Sequence, residues 1–176
     1  MSTQTKSGMF EGVSFETSGP WQAYWLVMLR FVAGWWMLHA GLDKLMGGPF
    51  DASWFVGGAA AGTSIGPIVT LFATDAGMAF VNFMVPVGQF LIGLGLVLGA
   101  LTRTAAFFGA FLMMFFYFIN GEGGGWAHGV VTGELLGIMI FGTIATLGAG
   151  KVLSVDERLK ELPFFKNHPR LLALLG

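Results

Sequence analysis

The sequence predicts an all-α membrane protein, a four-transmembrane-helix bundle with both its N and C termini inside. Three observations lead to this prediction. Of the 176 residues, 55% are hydrophobic and only 11% are charged, whereas soluble domains carry about 25% charged residues. Residues 76–102 contain no charged side chain, and a helix of that length exceeds the roughly 30 Å hydrocarbon core. Outside the spans, lysine and arginine occur only in segments that lie on one side of such a bundle.

Composition also excludes several classes of protein. The net charge is −1, from 9 basic and 10 acidic residues, so no basic field exists that would attract nucleic acid. Cysteine is absent, which excludes disulfides, thiolate metal sites, covalently attached haem and a cysteine nucleophile. We therefore expect no built-in cofactor, no metal and no nucleic-acid partner.

Four apolar segments are the predicted spans, and they lie at 22–46, 77–100, 104–120 and 130–150. The fourth is interrupted only by Glu134, whereas the first is interrupted by four polar residues, Arg30, His39, Asp43 and Lys44. The spans define a transmembrane domain over 22–150. A polar segment, 1–21, precedes this domain, and a tail, 151–176, follows it.

The distribution of basic residues predicts the orientation. Arg103 lies in the short connection between the second and third spans, and five further bases lie in the tail. The connections 47–75 and 121–129 contain no lysine or arginine. Because basic connections stay in the cytoplasm, we expect a multi-pass plasma-membrane protein with cytoplasmic termini. The first span lacks an early cleavage site and is predicted to remain as a signal anchor.

The long outer loop between helices 1 and 2, residues 47–75, is unusual for a compact protein. We expect short helices at the outer interface, which serve either as an anchor or as a lid over a substrate. In the tail, Ser154 and Glu157 have capping-box spacing, which predicts a helix over 155–162 that Pro163 ends. The tail is amphipathic and is expected to lie on the inner membrane surface or against a partner subunit.

Glycine spacing predicts close helix packing. Three spans carry glycines one or two turns apart on one face, namely Gly34 and Gly41, Gly95 and Gly99, and Gly129, Gly133 and Gly137. Such stripes let helix backbones approach closely, either within the bundle or between copies and subunits.

Polar residues inside the spans are the candidates for function, because a charge in hydrocarbon costs roughly 3 kcal/mol and therefore faces the bundle or a wet cavity. His39 and Asp43 are four residues apart and can form a hydrogen bond. Depth along the spans predicts one polar cluster in the outer half of the bundle, consisting of His39, Asp43, Lys44, Gln89, Tyr117, Asn120, His128 and Glu134. Arg30 lies deeper, toward the inner half.

Structural alternatives exist for each of these residues. Lys44 can extend to the outer interface, Glu134 can neutralise a base of the first span, and Arg30 can form a structural ion pair. A haem held by His39 and His128 is weakly supported. A zinc site would need a third ligand, and the spacing is not a recognised one.

The order of several motifs resembles that of the DoxX family of small four-helix membrane proteins. The motifs are Arg30 and Gly34 followed by Gly41, Lys44 and Leu45; Gly88, Gln89 and Gly93 running on to Gly99 and Arg103; and Glu134 followed by Ser154 and Asp156. The resemblance extends from Trp25 to Asp156. The family commonly has glutamate where this sequence has Gln89, which can form hydrogen bonds but cannot transfer a proton.

The resemblance implies a subunit of a membrane redox complex that is quinone-linked and respiratory. By resemblance this would be a thiosulfate:quinone oxidoreductase, in which the chain is not catalytic alone. The resemblance places Arg30, Lys44 and Glu134 near a quinone. The predicted depth of His39 along the first span adds this residue to the site, with Asp43 as its hydrogen-bond partner. One alternative is a non-catalytic accessory subunit that stabilises a larger membrane complex. A small transporter or channel is the least favoured, because the inner half offers only Arg30 as a polar residue.

Overall fold

The structure, a computed structural model, describes residues 20–126 and 129–176, and these ranges contain helices and connections but no strand. Its α-helices are α1 (Pro20–Met46), α2 (Gly66–Val69), α3 (Asp75–Leu98), α4 (Thr102–Gly123), α5 (Gly133–Thr146), α6 (Val155–Glu161) and α7 (Pro163–Asn167). Short π- or 3₁₀-helical turns lie at Trp54–Ala59, Thr70–Phe72, Ala149–Lys151 and Pro169–Leu174. The predicted polar segment 1–21 lies outside the described residues except for its last two.

Three helices, α1, α3 and α4, are long and apolar enough to cross a membrane. The predicted fourth span, 130–150, is too long at both ends. At its start Thr132 has an extended backbone and its hydroxyl accepts from the N–H of Leu135, and beyond its end Gly148 has a left-handed φ of 70°. The 14 residues of α5 extend about 21 Å, which is less than the roughly 30 Å hydrocarbon core.

Glycines allow α1 and α3 to pack closely, as the stripe of Gly34 and Gly41 predicts. A methyl group on Gly34 would lie 2.8 Å from the Cβ of Leu96. One on Gly41 would collide with the backbone of Phe90, and one on Gly93 would collide with the backbone of Leu38. Backbone therefore meets backbone along this interface, and no larger residue fits there.

The glycine stripe predicted for the fourth span is wrong except at Gly137. Gly129 lies outside α5 with a φ of 78°, and a side chain on Gly133 would meet no atom within 4 Å. Instead, α4 and α5 pack through Gly109, where a methyl group would lie 2.8 Å from the ring of Phe141. The stripe fails because α5 begins at Gly133, three residues after the predicted start of the span.

The connection from α1 to α3 folds into short helices, as expected, and we call residues 47–74 the cap. The cap has a small core of its own against α4, made of Ala52, Val56, Ala60, Val69 and Ile119. Ser64 of the cap donates its hydroxyl to the carboxylate of Glu122 at 2.8 Å. The N–H of Ala52 donates to Asn82 of α3 at 2.9 Å. These contacts fix the cap over one end of the bundle.

The tail covers the opposite end of the bundle. The predicted capping box is wrong, because the hydroxyl of Ser154 donates to the carbonyl of Gly150 and forms no cap bond with α6. Leu175 is buried, and the carbonyl of Leu174 accepts from Thr104 at 3.0 Å. The end of the tail therefore folds onto the helix ends, whereas Phe164 is exposed.

Candidate functional site

A cavity of about 240 Å³ lies among α1, α3, α4 and the first turn of α5. Its walls are formed by Trp36, Met37, Ala40, Gln89, Met113, Phe116, Gly133 and Glu134. Because α5 starts only at Gly133, no earlier turn of this helix fills the space beside α1 and α4. This space forms the cavity. Trp36 and Gly133 are both exposed at its edge, so the cavity opens on the side of the bundle.

Gln89 is the buried polar side chain of this cavity. It lies on α3, is 3% exposed, and its Oε1 atom has no hydrogen-bond partner within the described chain. An unsatisfied buried polar atom costs about 1–3 kcal/mol. The carbonyl oxygen of Gln89 is therefore available to accept a hydrogen bond from a water molecule or a ligand in the cavity.

Glu134 is the charged side chain of the cavity. It lies in the first turn of α5, where the positive end of the helix dipole favours a carboxylate. Its Oε1 accepts a hydrogen bond of 2.8 Å from Nδ2 of Asn120 on α4. This bond joins two residues of the predicted outer cluster and fixes the carboxylate at the cavity wall.

His39 and Asp43 form the predicted hydrogen bond, with 2.9 Å between Nδ1 and Oδ2. Their side chains are 60% and 68% exposed, and neither lines the cavity. Lys44 donates to the carbonyl of Ala40 at 3.2 Å and lies over the ring of Phe50. Among the described residues Lys44 forms no ion pair with Glu134. His128 lies outside the described residues.

Arg30 lies far from the cavity and binds the start of the tail. Its Nη1 donates to the carbonyls of Ala149 at 2.7 Å and Val152 at 3.1 Å, and its Nη2 donates to that of Leu153 at 2.7 Å. Arg30 is 3% exposed. These bonds join α1 to the start of the tail, and they differ from the structural ion pair that the sequence left open because their acceptors are backbone carbonyl oxygens.

Asp156 completes this arrangement, and the sequence analysis named it only as the last residue of a family motif, without a role. It is fully buried, and its carboxylate accepts from the N–H groups of Leu101 at 2.6 Å, Thr102 at 2.9 Å and Gly176 at 3.0 Å. We call Arg30, Asp156 and their backbone partners the Arg30–Asp156 cluster. The signals in the sequence were its place in the family motif and its position shortly after the last apolar segment.

The sequence that forms most of α1, the cap, α3 and most of α4 matches one family model. The DoxX family model matches residues 25–122. The chain belongs to the DoxX family. This DoxX protein is a membrane protein with three helices that can cross the bilayer. The match includes Arg30 and Gln89 and ends before Glu134.

Two further comparisons add no relative. The comparison with curated proteins gives no match, and the comparison with solved structures gives none either. In the described residues no three His, Asp or Glu side chains are grouped so that they could hold a metal ion.

Proposed function

We propose that this DoxX protein is an integral subunit of a quinone-linked membrane redox complex, and that its cavity binds the head group of a quinone. The observation that carries the proposal is the composition of the cavity wall. The buried Gln89 with its unpartnered oxygen and the carboxylate of Glu134 lie among aromatic and methionine side chains.

The wall suits a flat ring that carries two oxygen atoms. Trp36 and Phe116 offer aromatic faces, against which another ring packs in offset or edge-on geometry. Binding sites usually combine such an apolar lining with a few polar groups that set the orientation of the ligand. Gln89 and Glu134 have this second role in the proposed site.

The size and position of the cavity also support a quinone. Pockets for drug-sized ligands measure about 300–1,000 Å³, so a cavity of about 240 Å³ accommodates one ring and leaves a long tail outside. Trp36 and Gly133 are exposed where the cavity opens on the side of the bundle. A lipid-soluble ligand can therefore enter from the bilayer with its tail remaining among the lipids.

The chain's own residues bind and orient the ligand, and electrons pass to or from another subunit. Gln89 can hold an oxygen of the ring but cannot exchange a proton near neutral pH. Among the described residues of the wall, Glu134 has the one side chain that can exchange a proton with the ligand. The protein is thus proposed as a binding subunit that is not catalytic alone.

Filling the cavity tests the proposal. Gly133→Leu puts a side chain at the cavity edge, and we expect it to weaken binding of a short-chain benzoquinone at least about tenfold, since the new side chain occupies the place of the ring. Quenching of tryptophan fluorescence in lipid nanodiscs measures binding, because Trp36 would contact the quinone. Gly142→Leu is the matched control, as Gly142 also lies on α5 in open space but outside the cavity. Equal binding by both variants would contradict the proposal.

A second candidate function is that of an accessory subunit without a ligand. The observation that favours it is the His39–Asp43 pair, which is exposed on a membrane-crossing helix. Polar groups in a span usually face protein or water rather than lipid, so a neighbouring subunit is expected to cover this pair. Native mass spectrometry of gently extracted membranes tests the idea, because further subunits in fixed ratio support it and a bare homomer contradicts it.

A further inference from the structure

We infer that the cavity binds the reduced, hydroxyl-bearing form of its ligand, a hydroquinone, in preference to the oxidised quinone. The inference rests on the proposed function. The carbonyl oxygens of a quinone only accept hydrogen bonds, whereas the hydroxyl groups of a hydroquinone also donate them. The preference therefore depends on whether the cavity offers acceptors or donors.

The two polar side chains that α3 and α5 supply both offer acceptor oxygens. Glu134 carries a carboxylate with about four lone-pair positions, some of which already accept hydrogen bonds from Asn120, from Thr132 and from its own N–H group. Gln89 carries a buried Oε1 that has no partner. Side-chain donors in the wall are the amide nitrogen of Gln89 and the indole N–H of Trp36, whose ring is 47% exposed. Among the described residues of the wall, the one charged group, the carboxylate of Glu134, is a hydrogen-bond acceptor.

Charge strengthens this preference. The carboxylate of Glu134 repels the partly negative carbonyl oxygen of a quinone and attracts the O–H of a hydroquinone. Hydrogen bonds to an ionised acceptor are roughly twice as strong as neutral ones, and they gain further strength where water is scarce. In the described chain no lysine, arginine or histidine lines the cavity and offsets this negative charge.

The unpartnered oxygen of Gln89 acts in the same direction. A buried acceptor without a partner carries a desolvation penalty, which disappears when a donor reaches it. A hydroxyl of the hydroquinone can supply that donor, and a quinone cannot. Both polar side chains thus discriminate between the two redox forms, one by charge and one by the missing hydrogen bond.

This preference has a redox consequence. A site that binds the reduced form more tightly raises the midpoint potential of the bound couple above that of the free couple. For a two-electron couple, a tenfold preference corresponds to about 30 mV. The bound ligand would then be a better electron acceptor than the same molecule free in the bilayer.

The test compares the dissociation constants of a short-chain benzoquinone and of its hydroquinone, measured anaerobically in nanodiscs. We expect the wild-type protein to bind the hydroquinone about tenfold more tightly, on the strength of charge-assisted hydrogen bonds. Glu134→Gln keeps the shape and removes the charge, so the preference should fall below about threefold. Glu122→Gln is the matched control, because Glu122 binds Ser64 and does not line the cavity.

Each outcome separates the two proposals. Equal affinities, or tighter binding of the quinone, would overturn the preference and leave the cavity as a quinone site. An unchanged preference in Glu134→Gln would overturn the role of its charge. Binding of neither form would overturn the proposed function itself. Should Glu134→Gln unfold, Gln89→Leu serves instead, and it is expected to weaken hydroquinone binding more than quinone binding.

Discussion

Asp156→Ala is expected to destabilise the protein by at least about 3 kcal/mol, because each backbone N–H group that loses its acceptor costs about 1–3 kcal/mol. The variant would leave three backbone N–H groups, those of Leu101, Thr102 and Gly176, without their acceptor. It would also leave the guanidinium of Arg30 buried without the carboxylate that attracts it. Thermal unfolding in detergent or nanodiscs measures the loss as a lower Tm.

Glu157→Ala is the matched control for this prediction. Glu157 is the next residue, and its exposed carboxylate forms an ion pair with Lys160 at 2.8 Å. Surface pairs of this kind contribute about 0–1 kcal/mol, so the control should unfold near the wild-type temperature. Equal Tm values for the two variants would show that the Arg30–Asp156 cluster does not hold the helix ends together.

Gly93→Leu is expected to separate α1 from α3 and to prevent a stable bundle. Even a methyl group at Gly93 would collide with the backbone of Leu38, which cannot move aside as a flexible side chain can. Overpacking usually costs about 1–3 kcal/mol, and a clash with backbone is expected to exceed that range. The yield of monodisperse protein in gel filtration and its Tm measure the effect.

The control for this variant is Gly88→Leu. Gly88 lies on the same helix, and a side chain there meets no atom within 4 Å. The exchange of residue types is identical, so helix propensity and hydrophobicity cancel in the comparison. Similar yield and Tm for both variants would contradict the close packing of α1 and α3.

Hydropathy predicts three of the helices well because α1, α3 and α4 are continuous apolar segments that hydrogen-bond internally. It overestimates α5, since Val130 and Val131 are apolar enough for a span but precede the first helical residue, Gly133, and Gly129 has a left-handed φ of 78°. The start of α5 depends on the extended backbone of Thr132 and on its hydroxyl, which accepts a hydrogen bond from the N–H of Leu135. Hydropathy carries no information about either.

The candidate site was predicted in part. Gln89 and Glu134 were both singled out, and the structure places them in one cavity. His39 and Asp43 were predicted in the same cluster, but both side chains are exposed and neither lines the cavity. Helical periodicity gives the relative positions of two faces and not the neighbour that each face meets. The role of Asp156 was missed because its partners, Leu101 and Thr102, lie more than 50 residues away in the sequence.

Photolabelling with an azido-benzoquinone tests the central claim most directly. If the cavity binds the head group, the label attaches to the segments 36–40 and 113–116, and excess unlabelled quinone suppresses it. A second apolar cavity of about 330 Å³ lies between α3 and the start of α4, beside Leu91, Leu98 and Phe108. It serves as an internal comparison. Label confined to this second cavity, or labelling that excess unlabelled quinone does not suppress, would contradict the proposal.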